Sequence, residues 1–140
     1  MKKFLAILCL MMSMLFGMGC APTTMGGKVR ATVETTETQV AIVVEEVDGD
    51  VRLIDVMTAL QEEGKLTFTV DAQGLVKSIN GKETAADWSK YWALYIADAE
   101  LSDMGYGIEW NGRQLGFSNF GAEALLVEAG GVYVWQYFGA

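Results

Sequence analysis

The chain has 140 residues, with 10 basic and 18 acidic side chains and a formal net charge of −8. That length supports one small domain with one core, and so acidic a surface repels nucleic acid and anionic headgroups. No histidine occurs and only two cysteines, Cys9 and Cys20, which excludes Cys/His zinc sites and Ser-His or Cys-His nucleophilic machinery.

The first twenty residues have three parts. Lys2 and Lys3 are followed by the uncharged run Phe4 to Phe16, and Gly17-Met18-Gly19 precedes Cys20. A basic start, a short apolar core and a small-residue exit describe an export signal. The run is shorter than the roughly 20 residues a membrane span needs. The segment resembles a bacterial lipoprotein signal, which implies residues 1–19 as signal peptide and Cys20 as the lipidated residue. A second acyl chain is what turns marginal membrane binding into stable anchoring. The expectation is an exported chain, lipid-anchored on the outer face of the membrane. An ordinary signal cleaved nearby would give a secreted form. Without Lys2 and Lys3, 8 basic residues face 18 acidic ones, a net charge of −10. Cys9 leaves with the signal, so the domain keeps no thiol for a disulfide.

Residues 20–38 read as a tether, with Thr23, Thr24, Thr32, Thr35, Thr36 and Thr38 beside Pro22, Gly26 and Gly27. Few large apolar side chains there offset the entropy of ordering. The domain is expected over 39–140. Val40 to Val47 is rich in β-branched residues and reads as a strand. Asp48-Gly49-Asp50 reads as a turn. Leu53, Val56, Met57 and Leu60 recur at helical spacing, and Gly64 marks a stop, which predicts a helix over Leu53 to Glu63. Leu66 to Asp71 alternates as a strand, with Leu66, Phe68 and Val70 on one face. Leu75 to Ile79 is a strand ending in the turn signal Asn80-Gly81. Tyr91 to Ile96 is the next strand. Met104 to Gly121 is glycine-rich, shows no period and reads as loop. Leu125 to Val127 and Val132 to Phe138 read as closing strands. Strand, helix and then strands argue an α+β fold, with one helix packed on a mixed sheet.

Four blocks in this order carry a resemblance: Leu53 to Leu60, Lys77 to Gly81, Tyr91 to Ile96, and Val132 to Tyr137. They resemble a bacterial domain family of unknown function that is similar to the C-terminal domain of transcobalamin and intrinsic factor. The resemblance covers Val40 to Phe138. It implies a β-grasp-like fold on secreted or surface-anchored proteins. In the vitamin carriers the corresponding domain covers one face of cobalamin, so a corrinoid is the ligand the resemblance implies. The chain departs from the pattern at Gly130-Gly131 and at Ala97-Asp98. Lacking histidine, it would hold a corrinoid by the ring faces and edges.

Trp88, Tyr91, Trp92, Tyr95, Trp110, Phe117 and Phe120 are the candidate ligand-binding residues. Alternation turns Trp92 away from Tyr91 and Tyr95, and core packing is the plain account of Trp92 and Trp135. Trp110, Phe117 and Phe120 fall in the expected loop, where aromatic side chains offer flat apolar surface. A loop folding back on its own aromatics is the alternative. Asp98, Glu100 and Asp103 cluster as the candidate metal ligands, calcium being the ion such oxygens take. Their spacing matches no EF-hand loop, and solvated turn carboxylates are the favoured account of them. No cofactor is required and no enzyme activity is expected. The partner is a small molecule or another surface protein. A structural or adhesive surface domain, and a calcium-dependent binder, stand as alternatives.

Overall fold

A computed structural model describes residues 23–24 and 29–139. The signal segment and Cys20 lie outside the described residues. In chain order the strands are β1 (Thr23–Thr24), β2 (Val29–Thr35), β3 (Gln39–Val47), β4 (Phe68–Val70), β5 (Val76–Ile79), β6 (Lys82–Glu83), β7 (Tyr91–Ile96), β8 (Ser102–Trp110), β9 (Arg113–Ser118) and β10 (Val132–Phe138). Among the described residues one helix, α1 (Leu53–Glu62), follows β3. The fold is α+β: a seven-stranded sheet ordered β1-β2-β3-β10-β7-β9-β8, a small sheet ordered β4-β5-β6, and the helix.

The helix forms where spacing predicted it. Leu53, Val56, Met57, Ala59 and Leu60 are its buried stripe. Burying each of the larger side chains contributes about 1.5–3 kcal/mol before entropy is charged against it. The Asp55 carboxylate accepts the Arg52 backbone N–H at 3.1 Å, and its charge suits the first turn. The helix stops at Gly64, whose φ of +74° suits glycine. Beyond it, Gln61 Oε1 accepts the Phe68 N–H at 2.7 Å and ties the helix to β4.

The large sheet is apolar on both faces. Towards the helix, Val40, Ile42 and Val44 of β3, Leu94 and Ile96 of β7, and Tyr133, Trp135 and Tyr137 of β10 join α1, Val76, Ile79, Leu125 and Val127 in one cluster. On the opposite face Ala41, Ala93, Tyr95, Leu115, Val132 and Val134 form a second cluster, to which the helix contributes no residue. Burial on both faces is why Val40 to Val44 of β3, Tyr91 to Ile96 of β7 and Val132 to Trp135 of β10 read as unbroken apolar runs.

Several expectations are corrected. The sheet is not mixed: every described ladder is antiparallel. A parallel pair needs a long crossover between neighbouring strands, and α1 instead leads from β3 to the small sheet. The expected tether does not run to Thr38. β2 pairs with β3 from Val29↔Val47 to Thr35↔Val40, and Val29 and Ala31 are buried. The expected loop from Met104 to Gly121 holds the hairpin β8–β9. Leu125 to Val127 is no strand. Leu126 makes an isolated bridge to Arg52, while the Leu53 N–H donates to the Leu125 carbonyl and the Val127 N–H to that of Val51. The strand expected over Leu66 to Asp71 shortens to β4. A register shift after Thr69 turns Val70 out, 45% exposed.

Candidate functional site

The hairpin β8–β9 turns on Asn111-Gly112, with φ of +47° and +76°. Positive φ at both central residues is the two-residue turn that asparagine-glycine favours. Trp110 pairs with Arg113, Ile108 with Leu115, and Tyr95 of β7 with Phe117. Paired residues share a face, so Ile108, Trp110, Leu115, Phe117 and Tyr95 all lie on the side away from the helix.

On that face four rings make a row. Tyr91 stacks on Phe138 with centroids 5.2 Å apart. Phe138 meets Tyr95 at 6.3 Å and 63°. Tyr95 meets Phe117 edge-on at 5.8 Å and 77°. Offset and edge-to-face contacts of this kind add about 0.5–1.5 kcal/mol each beyond area burial. Tyr95 is buried at the centre of the row, and burial, reinforced by Tyr91, raises its phenol above the usual value. It therefore stays neutral at ordinary pH. Phe117 is 44% exposed at one end, and Tyr91 and Phe138 are half-buried at the other.

The other candidate residues are placed elsewhere. Trp92 points to the helix side, as alternation predicted. It is buried, 4.8 Å from Tyr137, and its Nε1 donates to the Lys82 carbonyl at 2.7 Å. That is a core residue. Trp110 is half-buried beside the second cluster. Trp88 is exposed in the turn before β7, with φ +61° and the Lys77 ammonium 5.8 Å from its ring centre. Beside it, the Ser89 hydroxyl and then the Ser89 amide hold the Asp87 carboxyl below its usual range. Phe120 is exposed past the end of β9. There the Ser118 hydroxyl donates to the Phe120 carbonyl at 2.7 Å and accepts its N–H at 3.2 Å. None of Trp88, Trp92, Trp110 and Phe120 makes a ring contact within the row.

Two aromatic residues were missed. Phe138 joins Tyr91 to Tyr95 in the row, and its alternation with Val134 and Gln136 along β10 was the available signal. Tyr106 is 75% exposed on β8, in a stretch whose strand character was not recognised.

The acidic candidates serve turns. Asp98 accepts the Glu100 N–H, and Asp103 accepts the Gly105 N–H, each at 2.9 Å. Among the described residues no three carboxylates, cysteines or histidines gather as cation ligands, so Asp98, Glu100 and Asp103 are not brought together as a metal site.

Clefts of about 120 and 200 Å³ flank Tyr133. Both are small for a cofactor-sized molecule, which takes about 300–1,000 Å³. Wider, open ones of about 480 and 620 Å³ lie around Glu123 and Ala124, and no aromatic ring lines them. No residue of the row lines any of the four. Among the described residues the row is a strip of rings along the sheet face, outside these four clefts. Among the described residues no helix is long and apolar enough to cross a membrane. Comparison with protein-family models, with curated proteins and with solved structures finds no match to this chain.

Proposed function

We propose that the chain is a binding module of the bacterial surface, held by lipid on Cys20, that docks on another surface protein through the row Tyr91–Phe138–Tyr95–Phe117. The observation that supports this reading is the row itself. It offers rigid aromatic area on the sheet face to which the helix contributes nothing, and such area dominates the energetics of protein contacts. The reading assigns the domain no catalysis. A β-grasp-like relation to the C-terminal domain of the vitamin carriers belongs to the same proposal. It draws on the four sequence blocks and on a single helix packed against one face of the sheet.

Two experiments test it. A photo-crosslinking side chain at position 117, in the chain exported by a bacterial host, is expected to join it to one envelope protein of defined mass. The same side chain at Thr58, an exposed position on α1, should give no such product. Equal cross-linking from both positions, or none from 117, sinks the docking reading. Radiolabelled palmitate is expected to label the native chain and to spare Cys20→Ser. The small-ligand reading, with cobalamin as the ligand, is favoured by the same flat aromatic area. It is separated by titration: a change in the corrin spectrum that Phe117→Asp abolishes would put cobalamin on the row and displace the docking reading.

A further inference from the structure

Among the described residues β8 is the last strand of the large sheet and has β9 as its one neighbour. Its two halves differ. Asp103 pairs with Phe117, and the next pair is Gly107 with Gly116. Met104, Gly105 and Tyr106 therefore bulge out of the ladder between them. The bulge is fixed locally. The Asp103 carboxylate accepts the Gly105 N–H, and a Cβ on Gly107 would sit 2.1 Å from the Leu115 carbonyl oxygen. It presents Tyr106, flanked by glycines, at 75% exposure.

From Gly107 to Trp110 the edge is regular. In a two-residue hairpin the residues flanking the turn bond to each other, and bonded and non-bonded pairs then alternate. Trp110 and Ile108 therefore bond inward to Arg113 and Leu115. The N–H and C=O groups of Gly107 and Glu109 point outward, away from β9. An open edge of this kind is a template for an added strand. Its side chains specify what fits. Ile108 and Trp110 lie half-buried on the face away from the helix, and Glu109 is exposed on the other. Asp103 stands at the far side of the bulge, also exposed.

We propose that the Gly107–Trp110 edge of β8 takes an extended cationic segment of another protein as an added antiparallel strand, with Tyr106 packing over its end. Such a segment alternates apolar residues, set beside Ile108 and Trp110, with lysine or arginine, set opposite Glu109. Opposite charges directly across a ladder favour pairing, and like charges oppose it. A second copy of this chain is disfavoured by its own net charge of −8. The proposal extends the docking reading from the sheet's face to its edge, and it is read out by backbone protection, which a contact with the aromatic row alone does not predict.

The test uses the full chain in detergent and two synthetic probes, (Val-Lys)4 and (Val-Glu)4. The lysine probe is expected to bind at least tenfold more tightly, and to slow hydrogen exchange at the Gly107 and Glu109 amides. Glu109→Lys should reverse the preference between probes, while the same charge change at Glu62, an exposed position on α1, should leave it unaltered. Tyr106→Ala should weaken the lysine probe without moving the protected amides. Equal binding of the two probes overturns the proposal, as does binding without protection at Gly107 and Glu109. Concentration-dependent protection of those amides with no probe present puts a second copy on the edge, and overturns it too.

Discussion

Two tryptophans on the same side of the same sheet should answer differently to the same substitution. Trp92 and Trp135 are 8% and 5% exposed. The Trp92 Nε1 donates to the Lys82 carbonyl at 2.7 Å. The Trp135 Nε1 is buried with no hydrogen-bond partner among the described residues. Replacing either indole by phenylalanine removes roughly 40 Å³, and at about 24 cal/mol per Å³ of cavity that costs about 1 kcal/mol. Trp92→Phe also removes the Nε1 hydrogen bond to the Lys82 carbonyl, a net loss of about 0.5–1.5 kcal/mol, since that carbonyl keeps its ladder partner Ile79. Trp135→Phe removes an unpaired buried donor and returns about 1–3 kcal/mol of desolvation cost, which cancels the cavity term or exceeds it. The expected outcome is a loss of about 1.5–2.5 kcal/mol for Trp92→Phe, and no loss or a small gain for Trp135→Phe. Urea unfolding followed by far-ultraviolet circular dichroism reads both on one scale, free of the fluorescence that the substitutions themselves change. Equal losses, to within about 0.5 kcal/mol, would refute the reasoning that hydrogen-bond satisfaction separates the two sites.

Gly107→Ala should destabilise the domain by about 1–3 kcal/mol, because its Cβ would fall 2.1 Å from backbone oxygen, whereas Gly105→Ala meets only the Asp103 carboxylate at 3.1 Å. Thermal unfolding of the pair checks this, and equal melting temperatures count against the close approach. Gly112→Ala, at φ +76°, should cost about 1 kcal/mol by forcing a side chain into the left-handed region; an unchanged midpoint in urea would contradict the turn. Tyr133 is pushed up to about 12 from 10.0 by burial, with the hydrogen bond from the Glu128 amide acting the other way. The folded state then holds this proton where the unfolded state releases it. Its contribution is complete below pH 10 and fades as pH rises towards 12. Tyr133→Phe should flatten that slope, and a slope unchanged by the substitution would assign it to other groups.

The helix and the inner strands could be read from residue pattern because one interaction dominated each. Leu53, Val56, Met57 and Leu60 fix a helical stripe, and Gly64 ends it. Tyr91 to Ile96 and Val132 to Phe138 are long apolar runs, whose bounds the structure reproduces. β8–β9 was lost for a local reason. Asn111-Gly112 is the same turn signal as Asn80-Gly81, but the bulge at Met104 to Tyr106 breaks alternation just before it. β2 was lost to composition: its threonines suggested a solvated tether, although threonine is β-branched and Val29, Ala31 and Val33 alternate. The row was half legible. Alternation put Tyr91 and Tyr95 on one face, but Phe138 joins them through ladder register, a long-range fact that no local window holds.

The position of β10 bears on how such a chain is made. It lies between β3 and β7, and the Gln39–Gln136 side-chain hydrogen bond joins residues 97 apart. Until residue 138 has been synthesised, β3 and β7 have no partner between them and the sheet is split into two pieces with open edges. Closure then has to wait for the least local contacts in the domain, and such contacts form slowly. On the proposal that the chain is exported, it has to cross the membrane as an extended thread. Placing the late strand at the centre delays closure of the sheet, and on that proposal makes the finished fold an event of the far side.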